Sequence, residues 1–276
     1  MHLALPLPAR AASTPRSLSA LRELAVVAAL YGAYSLSRVL VDSGPQEALA
    51  TARWLLETER VLHLDVELAM VQWLVASPLL SVLAGYAYAA LHYTVTPAVL
   101  VWLYRAHPGR YRQARTALVL ATVVALVCYW LLPTAPPRLL SADYPDVLAL
   151  TSHWGWWGAE ASAPRGLGSL TNQYAALPSM HVGWAVWCGL VVGLLARRRV
   201  VRAVALAYPV LVTLVVVATA NHWVLDAVAG AVVVVLAGLL TVGASSSRRS
   251  SGRVASRTTG RTAAPTVGEE RPAPVA

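Results

Sequence analysis

His222 and Asp226 stand four residues apart in "NHWVLDAVAG", so on a helix they share one face. A carboxylate so placed accepts a hydrogen bond from one imidazole nitrogen. That fixes the tautomer and leaves the other nitrogen as a nucleophile or base. In "AALPSMHVGW", Pro178 and Ser179 open a helix, whose unpaired N–H groups and positive dipole end suit an anion. The Ser179 hydroxyl adds a donor, and His181 in the first turn can give a proton to a leaving oxygen. In "LPTAPPRLL", Arg138 follows two prolines and offers a planar fork of donors that matches phosphate oxygens. Nucleophile, orienting carboxylate, acid and anion clamp together point to phosphoryl transfer. Asp226 is the single carboxylate of this constellation, and there is no Asp-rich motif of the kind that holds Mg²⁺. The expectation is therefore chemistry without a metal or any other cofactor.

The elements that position these residues follow from composition. Of 276 residues, 57% are hydrophobic and 13% charged, with a mean hydropathy of +0.57. A soluble domain of this size carries about twice that charge. The apolar residues fall into blocks long enough to span about 30 Å of hydrocarbon. Six spans are expected, near residues 23–42, 79–104, 114–133, 179–196, 200–220 and 222–242. The last two are separated by a short turn near Ala220 and Asn221. The fold class expected is all-α: a polytopic membrane protein of six transmembrane helices with amphipathic outer-surface helices. Residues 1–22 read as a cytoplasmic tail, 23–242 as the membrane domain and 243–276 as a disordered cytoplasmic tail rich in Ser, Thr, Arg, Gly and Pro.

All basic residues are arginine, and 17 of the 22 lie in residues 1–22, 105–115, 197–202 and 243–276. Such clusters between apolar blocks mark topology rather than a nucleic-acid face. The positive-inside rule then puts both termini in the cytoplasm and every residue of the constellation at an outer span end. Arginine-only basic usage, Ala/Val-rich spans and the lack of Phe suit a bacterial plasma membrane. The N-terminal arginines precede an apolar stretch without a small-residue cleavage site, which reads as a signal anchor. Cys128 and Cys188 fall in apolar runs and read as reduced packing residues.

The segment "EALATARWLLETERVLHLDVELAMVQWL" has apolar residues at helical spacing and is expected as one or two amphipathic helices on the outer surface. Trp154, Trp156 and Trp157 mark the second outer loop either as an aromatic anchor or as a lid over a lipid site. In the second span, His92 lies among Tyr86, Tyr88 and Tyr93. Interhelical hydrogen bonding is favoured there over a polar pathway.

"PTAPPR", "AALPSMH" and "NHWVLD" resemble the three motifs of the type 2 phosphatidic acid phosphatase superfamily. They are more similar to its branch related to inositol phosphorylceramide synthase, an inositolphosphotransferase-like group. The resemblance covers roughly residues 25–242. It implies His222 as the nucleophile that forms a phosphohistidine, Asp226 as its partner and His181 as general acid, with Arg138 and Ser179 as phosphate ligands. It departs from the soluble and lipid-phosphatase members in two places. Their lysine seven residues before the first-motif arginine is Leu131 here, and their arginine six residues before the third-motif histidine is Val216. A haloperoxidase, with its densely cationic cradle, is disfavoured by both changes. Asn172 and Asn221 are candidates to take over phosphate binding.

The expected activity is that of a lipid-phosphate phosphatase or lipid phosphotransferase acting at the outer leaflet. Its partners are a lipid phosphate and the surrounding membrane lipids, with no nucleic acid. A transporter or channel would need polar residues at several depths of the spans, and few are present. A catalytically dead scaffold would not need Arg138, His181, His222 and Asp226 together.

Overall fold

The structure is a computed structural model that describes residues 44–159, 165–166 and 171–259, with side chains to Ala244, and isolated positions between Leu21 and Gly32. The first expected span, near 23–42, and the 260–276 end of the expected tail thus lie outside the described residues or nearly so. The described residues are helical, with an isolated β-bridge between Thr134 and Ala175 and no strand.

Two helices open it, α1 (Pro45–Leu62) and α2 (Glu67–Val75). The long helices follow: α3 (Pro78–Ala106) and α4 (Pro108–Leu131). A connecting segment carries two short turns, α5 (Pro137–Leu140) and α6 (Val147–Thr151). Three apolar helices end the molecule: α7 (Met180–Leu195), α8 (Arg199–Ala218) and α9 (Val224–Thr259). The starts are written in the sequence. Proline occupies the first turn of α1, α3, α4 and α5, where its missing N–H costs nothing. The Ser77 and Ser179 hydroxyls accept from Leu80 and Val182 N–H at 3.5 Å, as capping side chains do. Proline inside α3 (Pro97) and α8 (Pro209) is tolerated in lipid, where neighbours re-satisfy the freed carbonyl.

Three helical stretches are long and apolar enough to cross a membrane: Pro108–Leu131, Arg199–Ala218 and Val224–Ala244. A fourth is counted if α2 and α3, bent by 118° at Ala76–Ser77, form one broken span. The apolar helices mark an integral membrane protein, but they do not by themselves give the expected six crossings. The 16-residue α7 is shorter than the roughly 20 residues a span needs, because Ser179 caps it there. Helix α9 runs past its apolar stretch to Thr259, into the segment expected as a tail.

Helix α7 packs between α8 and α9, α9 also lies along α4, and α3 closes against α4, α7 and α8. Small residues permit the close crossings. A Cβ on Gly189 of α7 would lie 2.7 Å from the Ala205 carbonyl oxygen of α8, the small-residue packing usual between membrane helices. Large apolar side chains such as Leu194, Val200 and Leu239 point outward, as suits a lipid-facing rim. Glu23 accepts from Tyr111 Oη and Arg115 Nη1 at 2.9 Å, which ties the N-terminal segment to the arginine-rich start of α4.

Helices α1 and α2 leave Trp54, Val61 and Trp73 exposed and bury a second face against the rest of the protein. Ala48, Ala52, Leu55, Val71 and Leu74 are buried in one cluster with Ala135, Tyr144, Ala220 and Trp223. The Ala135 N–H donates to the Ala48 carbonyl at 3.0 Å. The apolar stripe that reads as membrane-facing is the face that supports the loop ends of the other helices. The tryptophans divide as well. Trp154 and Trp156 are exposed, whereas Trp157 is fully buried and donates Nε1–H to the Leu148 carbonyl at 3.0 Å. Cys128 and Cys188 are free thiols.

Candidate active site

The three motif stretches are knitted together by main-chain hydrogen bonds. Thr134 N–H donates to the Tyr174 carbonyl at 2.7 Å and Ala176 N–H to the Thr134 carbonyl at 3.3 Å, joining the first motif to the second. Arg138 N–H reaches the Ala220 carbonyl at 3.0 Å, joining the first to the third. Ser179 N–H reaches the Asp226 carbonyl at 2.9 Å, joining the second to the third. The site is thus fixed by backbone before any side chain is considered. The turn between α8 and α9 is tight enough to hold Ala220 at φ 56°, a left-handed conformation uncommon for a residue with a Cβ.

On this frame the two histidines face each other. His181 Nδ1 and His222 Nε2 are 3.3 Å apart. The other nitrogen of His222, Nδ1, lies 3.0 Å from the Ala176 carbonyl oxygen and 3.4 Å from Asp226 Oδ2. A carbonyl only accepts, so Nδ1 carries the hydrogen and Nε2 is left with its lone pair toward His181. The orienting partner expected from spacing, Asp226, is present, but the nearer acceptor is the Ala176 carbonyl. Asp226 also accepts the Trp223 N–H at 2.9 Å through the same Oδ2. His222 and Asp226 are both buried.

Ser179 is fully buried as the N-cap of α7, directly before His181. The amides of the first turn lack helical acceptors, as at any helix start. The Arg138 side chain is held from three sides: Nε donates to Asn221 Oδ1 at 2.9 Å, and Nη1 reaches Asp146 Oδ2 at 3.4 Å and Gln173 Oε1 at 3.5 Å. Asn221 Nδ2 donates to the carbonyl and hydroxyl of Thr219 at 3.1 and 3.2 Å. These contacts orient the arginine and the turn. Asn172 stands further out in the loop, where its Oδ1 accepts from Tyr174 N–H at 3.0 Å. The structure therefore gathers Arg138, Ser179, His181, Asn221, His222 and Asp226, and gives Asn172 a turn-forming contact.

Two aromatic neighbours complete the wall. Tyr88 stacks on the His181 ring at 4.6 Å, and the His92 ring meets it edge-on at 4.4 Å. The second-span cluster is thus partly a lining of the site, which its mid-helix position alone does not reveal. Val216 is buried in the same wall, beside a small cavity lined also by Tyr88, Leu91, His92 and His181. Leu131, at the other position where a cation is missing, points outward.

A family model described as the PAP2 superfamily matches residues 53–240. The chain belongs to the PAP2 superfamily. Membership supports a phosphatase-type activity on lipid phosphates, and the matched region contains every residue of the PAP2 constellation above. No curated protein and no solved structure matches the chain. Among the described residues of this PAP2 protein, no group of three or more His, Cys, Asp and Glu is spaced to hold a metal ion.

Sequence reasoning missed Asp146, Gln173 and the Ala176 carbonyl, and also two buried acids, Glu59 and Glu67, which accept the Leu225 and Val224 N–H at the start of α9. Asp146 lies in a loop with no periodicity, and a main-chain carbonyl has no sequence signal. Glu59 and Glu67 did carry one, since both fall on the apolar face of an amphipathic segment, where an acid is out of place.

Proposed function

We propose that this PAP2 protein is an integral-membrane lipid-phosphate phosphatase or lipid phosphotransferase of the inositolphosphotransferase-like kind, working through a phosphohistidine at the outer membrane face. The observation that carries the reading is the orientation of His222. Its Nδ1–H is held by the Ala176 carbonyl, with Asp226 alongside, and its Nε2 faces His181.

In the reaction, the Nε2 lone pair attacks phosphorus, and the bond between phosphorus and the lipid oxygen breaks. Protonated His181 delivers its proton to that oxygen, so the lipid leaves as an alcohol. The phosphate displaces the contact between the two rings and is met by Arg138, the Ser179 hydroxyl and the first amides of α7, which neutralise the developing charge. In the second half, neutral His181 takes a proton from water or an alcohol, which attacks the phosphohistidine and frees His222. Water gives hydrolysis and an alcohol gives transfer. Charge is neutralised by Arg138, the helix start and protonated His181, so no step calls for a divalent metal.

The test is incubation of the purified protein with radiolabelled lipid monophosphates and polyol acceptors, with and without a chelator. Release of phosphate or formation of a phosphorylated polyol, undiminished by EDTA, is expected. Loss of turnover with EDTA and rescue by Mg²⁺ would overturn the metal-free mechanism.

A further inference from the structure

Helices α1 and α2 bring two acids under the start of α9. Glu59 and Glu67 are both fully buried. Glu67 Oε1 accepts the Val224 N–H at 2.9 Å, and Glu59 Oε1 accepts the Leu225 N–H at 2.7 Å. Asp226 Oδ2 takes the preceding amide, Trp223, at 2.9 Å. Three successive amides are thus each held by a different carboxyl, directly after His222. One capping side chain suffices to start a helix. Two further buried acids, brought from helices more than 150 residues away in sequence, exceed that need.

We propose that Glu59 and Glu67 are positioning residues of the phosphoryl-transfer site, clamping the first turn of α9 so that His222 stays in line for attack. The inference rests on the reading of the site given above. Burying an acid is expensive unless its oxygens are satisfied. Among the described residues, no N–H or O–H donor reaches the second oxygens, Glu59 Oε2 and Glu67 Oε2. The two carboxyls are within mutual reach, so one proton shared between them satisfies both. Burial pushes the Glu59 carboxyl up to about 9, which keeps that proton in place at neutral pH. Tyr144 and Asp226 are the other acidic groups near the pair.

The clamp has a second consequence. A helix N-terminus attracts anions, and α9 begins beside the reacting histidine. With Trp223, Val224 and Leu225 amides all occupied, α9 offers phosphate no competing cradle. The anion is left to α7 and Arg138, on the Nε2 side of His222.

The experiment uses the full chain in lipid nanodiscs, with Glu59→Ala, Glu67→Ala, Glu59→Gln, Glu67→Gln and His222→Ala. Turnover of phosphatidate is measured together with amide hydrogen exchange over residues 219–228. The alanine variants should exchange Val224 and Leu225 faster while α4 and α7 stay protected. Their kcat should fall about 10²-fold, the cost of a small misplacement of a reacting group, with KM unchanged. The glutamine variants keep an acceptor oxygen, and their NH₂ replaces the shared proton, so most of kcat should return. Wild-type kcat and exchange in the alanine variants would overturn the proposal. So would exchange that rises throughout the molecule, which marks a general loss of stability, or equal losses in glutamine and alanine variants. A wild-type protein without turnover, matched by His222→Ala, overturns the reading of the site and the catalytic half of the proposal with it. The exchange arm separately decides whether the two acids hold the turn.

Discussion

Leaving-group chemistry separates the two histidines. In the proposed mechanism His222 forms the bond to phosphorus, so no leaving group replaces it, and His181 protonates the departing oxygen, so a good leaving group makes it dispensable. His181→Ala should lose about 10²–10⁴-fold on a lipid monophosphate, the usual range for a missing general acid, and much less on a nitrophenyl phosphate. His222→Ala should be inactive on both. Equal losses for His181→Ala on the two substrates, measured by phosphate release, would show that its role is assigned wrongly. The residue types and their spacing already brought Arg138, Ser179, His181, His222 and Asp226 together as a phosphoryl-transfer set, because each type has a narrow chemical use. The Ala176 carbonyl at 3.0 Å from His222 Nδ1 was not legible. Backbone acceptors are common to every residue, and only the fold selects one.

Between elements, the site depends on how closely α7 and α9 approach. Gly230 of α9 lies against the Ser179 carbonyl, and a Cβ there would overlap that backbone oxygen. The opposing Gly183 is constrained less severely, since its Cβ would lie 3.1 Å from the Gly230 carbonyl oxygen. Backbone cannot turn aside as a side chain can, so Gly230→Ala must push the two helix starts apart. A stability loss of about 1–3 kcal/mol is expected, as for other overpacked positions. A larger fractional loss of kcat should accompany it, because the Ser179 N–H to Asp226 carbonyl bond joins the same two helix starts. Thermal melting and turnover on the same preparation check this; unchanged turnover would show that the crossing does not set the site. Helix starts were legible from Pro and Ser. The glycine contact was not, since a glycine in an apolar run carries no sign of the element it faces. Helices α1 and α2 were legible as an amphipathic segment, but what their buried face meets was not. That face meets Ala135, Ala220 and Trp223, and periodicity cannot tell protein from lipid.

For the molecule as a whole, helix direction puts the arginine-rich loops at 105–115 and 197–202 at the end opposite His181 and His222. The positive-inside rule predicts that this end is cytoplasmic. In a background with Cys128 and Cys188 replaced by alanine, a cysteine at Asp143 should react with a membrane-impermeant reagent added to intact cells. A cysteine at Arg110 should not. The reverse pattern would put the site on the cytoplasmic face. Composition was enough to mark a membrane protein, because excess apolar content in long blocks has few other uses. It did not settle the number of crossings, since α7 is capped short by Ser179 and α2 breaks from α3 at Ser77. Phosphoryl transfer through His222 is tested most directly by trapping the intermediate. Brief incubation of the His181→Ala variant with a ³²P-labelled nitrophenyl phosphate, followed by alkaline quench and proteolysis, should give an acid-labile phosphopeptide that maps to His222. A phosphoryl group on Ser179, or an acid-stable adduct elsewhere, would contradict it.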